Sequence, residues 1–315
     1  MGSMIYLVTG GKGFIGSNLV DHLLDKGHAV VIIDNNSSGK EENIAHHASH
    51  PHLTVYNRDV VDPLEDIFEI HKPIEAVFHL AAIPQVQFSI KNPLPTHRAN
   101  INGTLNLLEH CRNFDVKRFI FSSSSAIYGD QEVLPLHEDI PPRPLSPYAL
   151  HKLTGEHYCK LFHYLYGIQA VSLRYANVFG PRQDPHGAYA GLIPKFITLI
   201  RSDQQPVIYG DGETTRDFIY VDDVVSANMY AAHTDSSDVF GYTFNIGSTM
   251  ERSVNDVTDF LLRMSGKDMK PQYSSPVIEP RRSCLDSSKA KRLLGWEPQT
   301  SFEDGLKKTY DYFTS

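Results

Sequence analysis

Short apolar runs alternate with longer amphipathic stretches through the first half of the chain. Runs at residues 4 to 9, 29 to 33, 53 to 57, 75 to 80, 117 to 122 and 170 to 174 predict strands. Stretches such as 18 to 26 and 100 to 112 predict the helices between them. Strand and helix in strict alternation imply an α/β fold with a doubly wound parallel sheet, which collects ligands at the carboxyl ends of its strands. Past Arg174 the pattern loosens into loops containing Pro and Gly with short elements, predicting a smaller C-terminal substrate domain. The boundaries read as 1–176 for a dinucleotide-binding domain, with 217–233 returning to it, and 177–315 for the substrate domain.

The first strand runs into Gly10, Gly13 and Gly16, spaced Gly-x-x-Gly-x-x-Gly, and then into a helix. Glycines there suit a tight turn, a close approach to a pyrophosphate and packing of helix on strand, with the phosphates at the helix N-terminus: the Rossmann arrangement. The second strand ends at Asp34, where a carboxylate accepts hydrogen bonds from adenosine ribose hydroxyls and repels a 2′-phosphate. No Arg or Lys immediately follows it, so the expected cofactor is NAD rather than NADP.

Farther on, Ser122 to Ser125 lie at a predicted strand end, and Tyr148 and Lys152 are four residues apart, on one helix face. A free phenol titrates near ~10; a neighbouring ammonium is expected to pull it toward the working range, making Tyr148 a base and Ser124 a partner hydroxyl.

Charge narrows the partners. The chain carries 29 Lys+Arg against 37 Asp+Glu, a net −8, with no basic stripe, so nucleic acid is not an expected partner. No membrane-spanning apolar run, signal peptide or lipidation signature is read, and Met1-Gly2-Ser3 ahead of Met4 reads as a cloning remnant. Cys111, Cys159 and Cys284 are scattered, which fits reduced thiols and a cytoplasmic location. His46, His47, His50 and His52 invite a metal, but with no acidic or cysteine ligand nearby in the sequence they read as a solvated face; no metal site is expected.

The motifs TGGKGFIGSNLV (9–20), DNNSSG (34–39), HLAA (79–82), FSSSSAIYG (121–129) and YALHK (148–152) resemble the extended short-chain dehydrogenase/reductase superfamily. RYANVFGPRQDP (174–185), DGETTRDFIYVDD (211–223) and LDSSKAKRLLGW (285–296) are most similar to its UDP-glucose/UDP-N-acetylglucosamine 4-epimerases. The resemblance implies a catalytic set of Ser124, Tyr148 and Lys152. It places Gly10, Gly13, Phe14, Ile15 and Gly16 on the pyrophosphate and Asp34, Asn35, Ser38 and Gly39 on the adenosine ribose. Asp59 and Val60 fall on adenine, and Leu80, Ala81 and Ala82 on the middle of the cofactor. Ser122, Tyr148, Lys152, Tyr175, Asn177 and Val178 fall on the nicotinamide side. Asn100 is read equally as a cofactor contact and as a structural amide.

For a UDP-sugar substrate the resemblance implies Asn177 and Arg216 on the diphosphate, Leu192, Ile193 and Tyr209 around uracil, Lys195 near the phosphates, and Ser124, Ser125 and Tyr148 at the hexose. Ser283 occupies the place where a bulky Tyr would exclude a 2-acetamido group, so the expected substrates are UDP-GlcNAc/UDP-GalNAc, with UDP-Glc/UDP-Gal also admitted. The family's Arg-x-Gly-Asp is replaced by Pro276-Val277-Ile278-Glu279, and Arg281 or Arg282 is expected to supply the missing guanidinium. Dehydratases, decarboxylases and 3,5-epimerases of the superfamily need an added acid or thiol beside the hydroxyl, and Ser125 and Ala126 provide neither. The alternatives are a UDP-glucuronate 4-epimerase, an oxidoreductase exchanging external cofactor, and a non-catalytic NAD sensor. The resemblance further implies a homodimer joined by two helices per subunit, one carrying Leu105, Leu107 and Leu108 and the other Tyr158, Phe162, Tyr164 and Leu165.

Overall fold

The computed structural model describes residues 3–186, 191–277 and 280–315. Six strands, β1 (Ile5–Thr9), β2 (Ala29–Ile33), β3 (Leu53–Tyr56), β4 (Ala76–His79), β5 (Arg118–Ser124) and β6 (Gln169–Tyr175), lie within a residue or two of the expected runs. They form one parallel sheet in the order 3-2-1-4-5-6, extended beyond β6 by the strand Thr243–Ile246. The order reverses between β1 and β4, which opens a crevice at their carboxyl ends.

That seventh strand lies outside the spans 1–176 and 217–233 expected to build the sheet. Its four residues follow a loop-rich stretch, too short to leave a periodic signature. The helix Val221–His233 packs against the helix Phe14–Asp25 and against β5 and β6. We therefore keep the two-domain division as a proposal, with Thr243–Ile246 added to the first and residues 217–220, which belong to a strand of the smaller sheet, moved from it to the second. The second lobe joins the strands Asn177–Phe179, Thr215–Tyr220 and Glu251–Ser253 and packs helices Leu192–Arg201, Val254–Ser265 and Phe302–Thr314 over its own core.

The helix Pro147–Tyr166 is delimited by its sequence: Ser146 accepts from the Ala149 N–H (3.2 Å), Pro147 fills the first turn, and Gly167 closes it at φ 73°. Gly155 lets it lie close to β5, since a Cβ there would stand 2.3 Å from the Phe121 ring. Of the expected subunit-contact residues, Leu107, Leu108 and Phe162 are buried in the core instead, because helical spacing turns them to the sheet. Tyr164 and Leu165 face outward with Leu150 and Leu161. Among the described residues no helix is long and apolar enough to cross a membrane, and the three cysteines are buried free thiols.

Candidate active site

A cavity of about 800 Å³ opens at the sheet's carboxyl edge, walled by Gly10, Asp34, Leu80, Ser124 and Tyr175, each at or just past the end of a different strand. Gly13, Phe14, Ile15, Gly16, Asn35, Ser38, Asp59, Val60, Ala81, Ala82, Ser122, Tyr148, Lys152 and Val178 share its wall. Three expected cofactor contacts do not. Gly39 lies behind Asp34, where a Cβ would crowd the carboxylate oxygens at 2.7 and 2.8 Å. Asn100 spends its amide on the Ile83 backbone, accepting from N–H (2.8 Å) and donating to C=O (3.1 Å), so it fastens the loop beyond β4. Asn177 opens into a second cavity.

The end of the cavity expected to take the pyrophosphate is a helix N-terminus. Gly13 caps Phe14–Asp25 without any side-chain hydrogen bond, and no acidic residue occupies the first turn, so the leading N–H groups are left to the cavity. Gly16 is required by packing, because a Cβ would fall 2.1 Å from the Gly10 carbonyl oxygen. Asp34 is 6% exposed and accepts the N–H groups of Lys12 (3.0 Å) and Asn36 (2.9 Å), which fix the carboxylate while leaving each oxygen a second lone pair. The cations nearby are already paired: the Lys12 ammonium with Glu41 and Asn36, and the Arg58 guanidinium in a fork on Asp66. The glycine cradle, the open helix end and the buried carboxylate therefore suit a dinucleotide with a free ribose 2′-hydroxyl.

At the opposite end, β5 and β6 set Ser124 beside Tyr175 in register. Ser124 accepts from the Ala126 N–H (3.2 Å), and its hydroxyl faces the Tyr148 phenol closely enough to oppose the effect of burial on it. The Tyr148 backbone N–H is held by Ser89 Oγ at 3.1 Å. Lys152, one turn on, donates to the Ser122 carbonyl at 2.6 Å and lies 5.9 Å from the centroid of the Tyr148 ring. The expectation that Lys152 lowers the phenol is not met in this geometry. Burial raises Tyr148, the nearby Ser124 hydroxyl only partly opposing it, and burial lowers Lys152 to about 8. Desolvation outweighs a cation that is turned toward a carbonyl.

Behind this wall lie groups that the sequence did not signal. Glu156, one turn past Lys152, accepts from Ser123 Oγ (2.5 Å) and from Arg174 Nε (2.9 Å) and Nη2 (2.7 Å). Arg174 reaches on to Tyr128 Oη (2.7 Å), which donates to Asn245 (2.8 Å). The network ties the serine strand end, the Tyr148/Lys152 helix and the seventh strand into one unit.

His79 is fully buried between two threonines. Thr104 Oγ1 donates to the Asn100 carbonyl (2.7 Å), so it accepts from His79 Nε2–H (2.9 Å), leaving Nδ1 to accept from Thr9 (2.8 Å). Burial, reinforced by the Lys152 charge, holds the imidazole down at about 3. Between pH 6.5 and about 3 the unfolded chain binds a proton at this residue that the folded chain refuses. Stability should therefore fall on acidification across that window by roughly 1.4 kcal/mol per pH unit from His79 alone. Urea denaturation of the wild type and His79→Gln at pH 7 and 5 checks this, since the variant should show a shallower acid loss.

On the substrate side, Asn177, Leu192, Ile193 and Arg216 wall a second cavity of about 340 Å³ that shares Val178 and Gln183 with the first. Gln183, missed in the sequence although it lies within RYANVFGPRQDP, donates to the Val178 carbonyl (3.1 Å). Its Oε1 is buried without a hydrogen-bond partner among the described residues. Ser125, Lys195, Tyr209, Arg281 and Ser283 stand on neither wall. Tyr209 is half exposed, and Arg281 pairs with Asp211 (2.8 Å) while Arg282 pairs with Glu251, so both guanidinium groups proposed for phosphate already hold carboxylates. Ile278 and Glu279 of the departing motif lie outside the described residues.

A family model described as the NAD dependent epimerase/dehydratase family matches residues 6–247. Among solved structures, UDP-glucose 4-epimerase of Thermotoga maritima with UDP-glucose is 43% identical, with TM-score 0.92 and 99% of both chains covered. UDP-N-acetylglucosamine 4-epimerase of Methanobrevibacter ruminantium, in complex with UDP-N-acetylmuramic acid, is 40% identical, with TM-score 0.94 over 100% of this chain and 99% of that one. UDP-glucuronic acid 4-epimerase of Bacillus cereus, in complex with UDP-glucuronic acid and NAD, is 36% identical, with TM-score 0.90 and 99% of both chains covered.

Proposed function

Because the chain belongs to the NAD dependent epimerase/dehydratase family, we propose that it inverts C4 of a UDP-hexose through a transient 4-keto sugar, with UDP-GlcNAc/UDP-GalNAc as the principal pair and UDP-Glc/UDP-Gal also accepted. The observation that carries this reading is that Ser124, Tyr148 and Lys152 share one cavity wall with Asp34 and the open helix N-terminus. NAD is the cofactor, and Gly13 to Gly16, Asp34, Ala81 and Lys152 are the residues that would hold it. When bound it supplies a reversible hydride acceptor.

Tyr148, as phenolate, takes the 4-hydroxyl proton while C4 loses hydride. Ser124 donates a hydrogen bond to the developing carbonyl oxygen, and the Lys152 ammonium offsets the phenolate charge. The keto sugar then presents its other face, hydride returns to C4, and Tyr148 gives the proton back. Asn177 and Arg216, both on the wall of the second cavity, would bind the diphosphate. Ser125 and Ala126 bring no carboxyl or thiol to the hexose, which favours this chemistry over elimination at C5 and C6.

Nuclear magnetic resonance of purified protein with a panel of UDP-sugars tests the assignment. The expected outcome is UDP-GlcNAc becoming UDP-GalNAc without net NADH. Net cofactor consumption would mark an oxidoreductase, no turnover a sensor, and exclusive use of UDP-glucuronate the third epimerase class. Ser283 itself lines neither cavity, so the gate requires the longer phenol to reach the hexose: Ser283→Tyr should then cost the acetamido substrate at least about tenfold more in kcat/KM than UDP-glucose, since a phenol and an acetamido group cannot share one volume; equal losses would remove Ser283 as the gate.

The outward apolar face of Pro147–Tyr166, with Leu150, Leu161, Tyr164 and Leu165, further supports a homodimer. Light scattering should return twice the chain mass; a monomer at working concentration would contradict it.

A further inference from the structure

His46 and His52 of the clustered histidines are exposed, but His46 and His47 also meet a carboxylate that is distant in the sequence. Asp21 projects from the helix Phe14–Asp25 to meet His46 and His47, the last two residues of the 3₁₀ turn Glu41–His47, and both imidazole Nε2 atoms stand 3.0 Å from Asp21 Oδ1. Adjacent residues of a 3₁₀ helix point about 120° apart. These two nonetheless turn onto one oxygen, with ring centroids 4.1 Å apart. The three ligand atoms all lie within 4.8 Å of one another.

A tetrahedral ion with bonds of about 2.0–2.1 Å holds its ligand atoms roughly 3.3 Å apart, so the two carboxylate–imidazole contacts need spread by only a few tenths of an ångström, while the two imidazole nitrogens, within 4.8 Å of each other, settle to the same spacing. Asp21 Oδ2 is engaged by Arg182, which also donates to Asn18 Oδ1 (3.2 Å) and the Asn43 carbonyl (3.0 Å). The carboxylate is thus oriented with Oδ1 toward the imidazoles. His46 is half exposed and gives solvent access, while His47 is largely covered.

We propose that Asp21, His46 and His47 form a site for a first-row divalent cation of the Zn²⁺/Co²⁺ class, with water completing the coordination. Two imidazoles and one carboxylate suit these ions better than Mg²⁺ or Ca²⁺, which take oxygen ligands. The three residues lie off the wall of the main cavity, so the ion is structural and chelation leaves turnover intact. It would clamp the turn Glu41–His47 to the helix that begins at the glycine loop. That turn already backs the loop, Glu41 pairing with Lys12 and Asn43 Nδ2 donating to the Lys12 carbonyl (2.8 Å).

The test is a Co²⁺ titration of tag-free, chelator-stripped protein, followed by visible d–d absorption and equilibrium dialysis. The wild type should take up one Co²⁺ per chain. His46→Gln and His47→Gln should each weaken uptake by at least about tenfold, and the exposed His52→Gln should leave it unchanged. Zn²⁺ should raise the melting temperature of the wild type and not that of His46→Gln, which also shows that this variant is folded. Absence of Co²⁺ absorption, equal uptake by wild type and His46→Gln, or loss on His52→Gln would overturn the site and leave two imidazole–carboxylate hydrogen bonds in its place.

Discussion

Tyr148→Phe should fold normally and retain NAD, yet turn over UDP-sugar about 10²- to 10⁴-fold more slowly, the range spanned by a positioned general acid–base group. The substitution removes one oxygen and leaves the ring in its buried slot, where the backbone N–H remains anchored on Ser89 (3.1 Å). The loss should therefore appear in kcat far more than in KM. Burial raises the phenol and only the Ser124 hydroxyl opposes it, so the proton is costly to remove without a positive charge brought close. Lys152 reaches that role only by swinging from the Ser122 carbonyl. Lys152→Met should accordingly fall in the same direction, whereas an unaltered kcat in Tyr148→Phe would move the base elsewhere.

The second large effect is structural. Glu156 and Arg174 are each 6% exposed in their side chains; burial alone would lower Arg174, but the hydrogen bonds and charge of Glu156 together with Tyr128 more than offset it, holding the guanidinium above its ordinary value. Glu156→Ala leaves that guanidinium buried against Tyr128 without a counter-ion and should cost about 3–5 kcal/mol in urea denaturation. Replacing both partners together, Glu156→Met with Arg174→Met, should recover part of the loss, because no uncompensated charge then remains. Since Ser123 also bonds Glu156 (2.5 Å), its neighbours Ser122 and Ser124 lose a support, and activity should drop further than unfolding explains. A stability change under 1 kcal/mol would show that the pair contributes little.

Much of the cofactor lobe was legible because its signals are local. Six apolar runs gave β1 to β6, and glycine spacing with a strand-end carboxylate gave the wall from Gly10 to Asp34. The four-residue interval put Tyr148 and Lys152 on one turn. What escaped depends on distant partners. Thr243–Ile246 is a strand only because β6 offers it an edge, and Glu156 reads as an ordinary helix-face acid until Arg174 meets it across the sheet. His46 and His47 lacked an acidic partner in the local sequence because Asp21 comes from an earlier helix. On the substrate side, Asn177 and Arg216 reach a common cavity. Arg281, one of the two arginines expected on the phosphates, is instead claimed by Asp211, 70 residues away.

The account rests on hydride leaving and returning to the same carbon of one bound sugar. UDP-GlcNAc carrying deuterium at C4, incubated with the enzyme in ordinary water, should give UDP-GalNAc with the label still at C4, as read by nuclear magnetic resonance. Exchange of that deuterium for solvent hydrogen would contradict it.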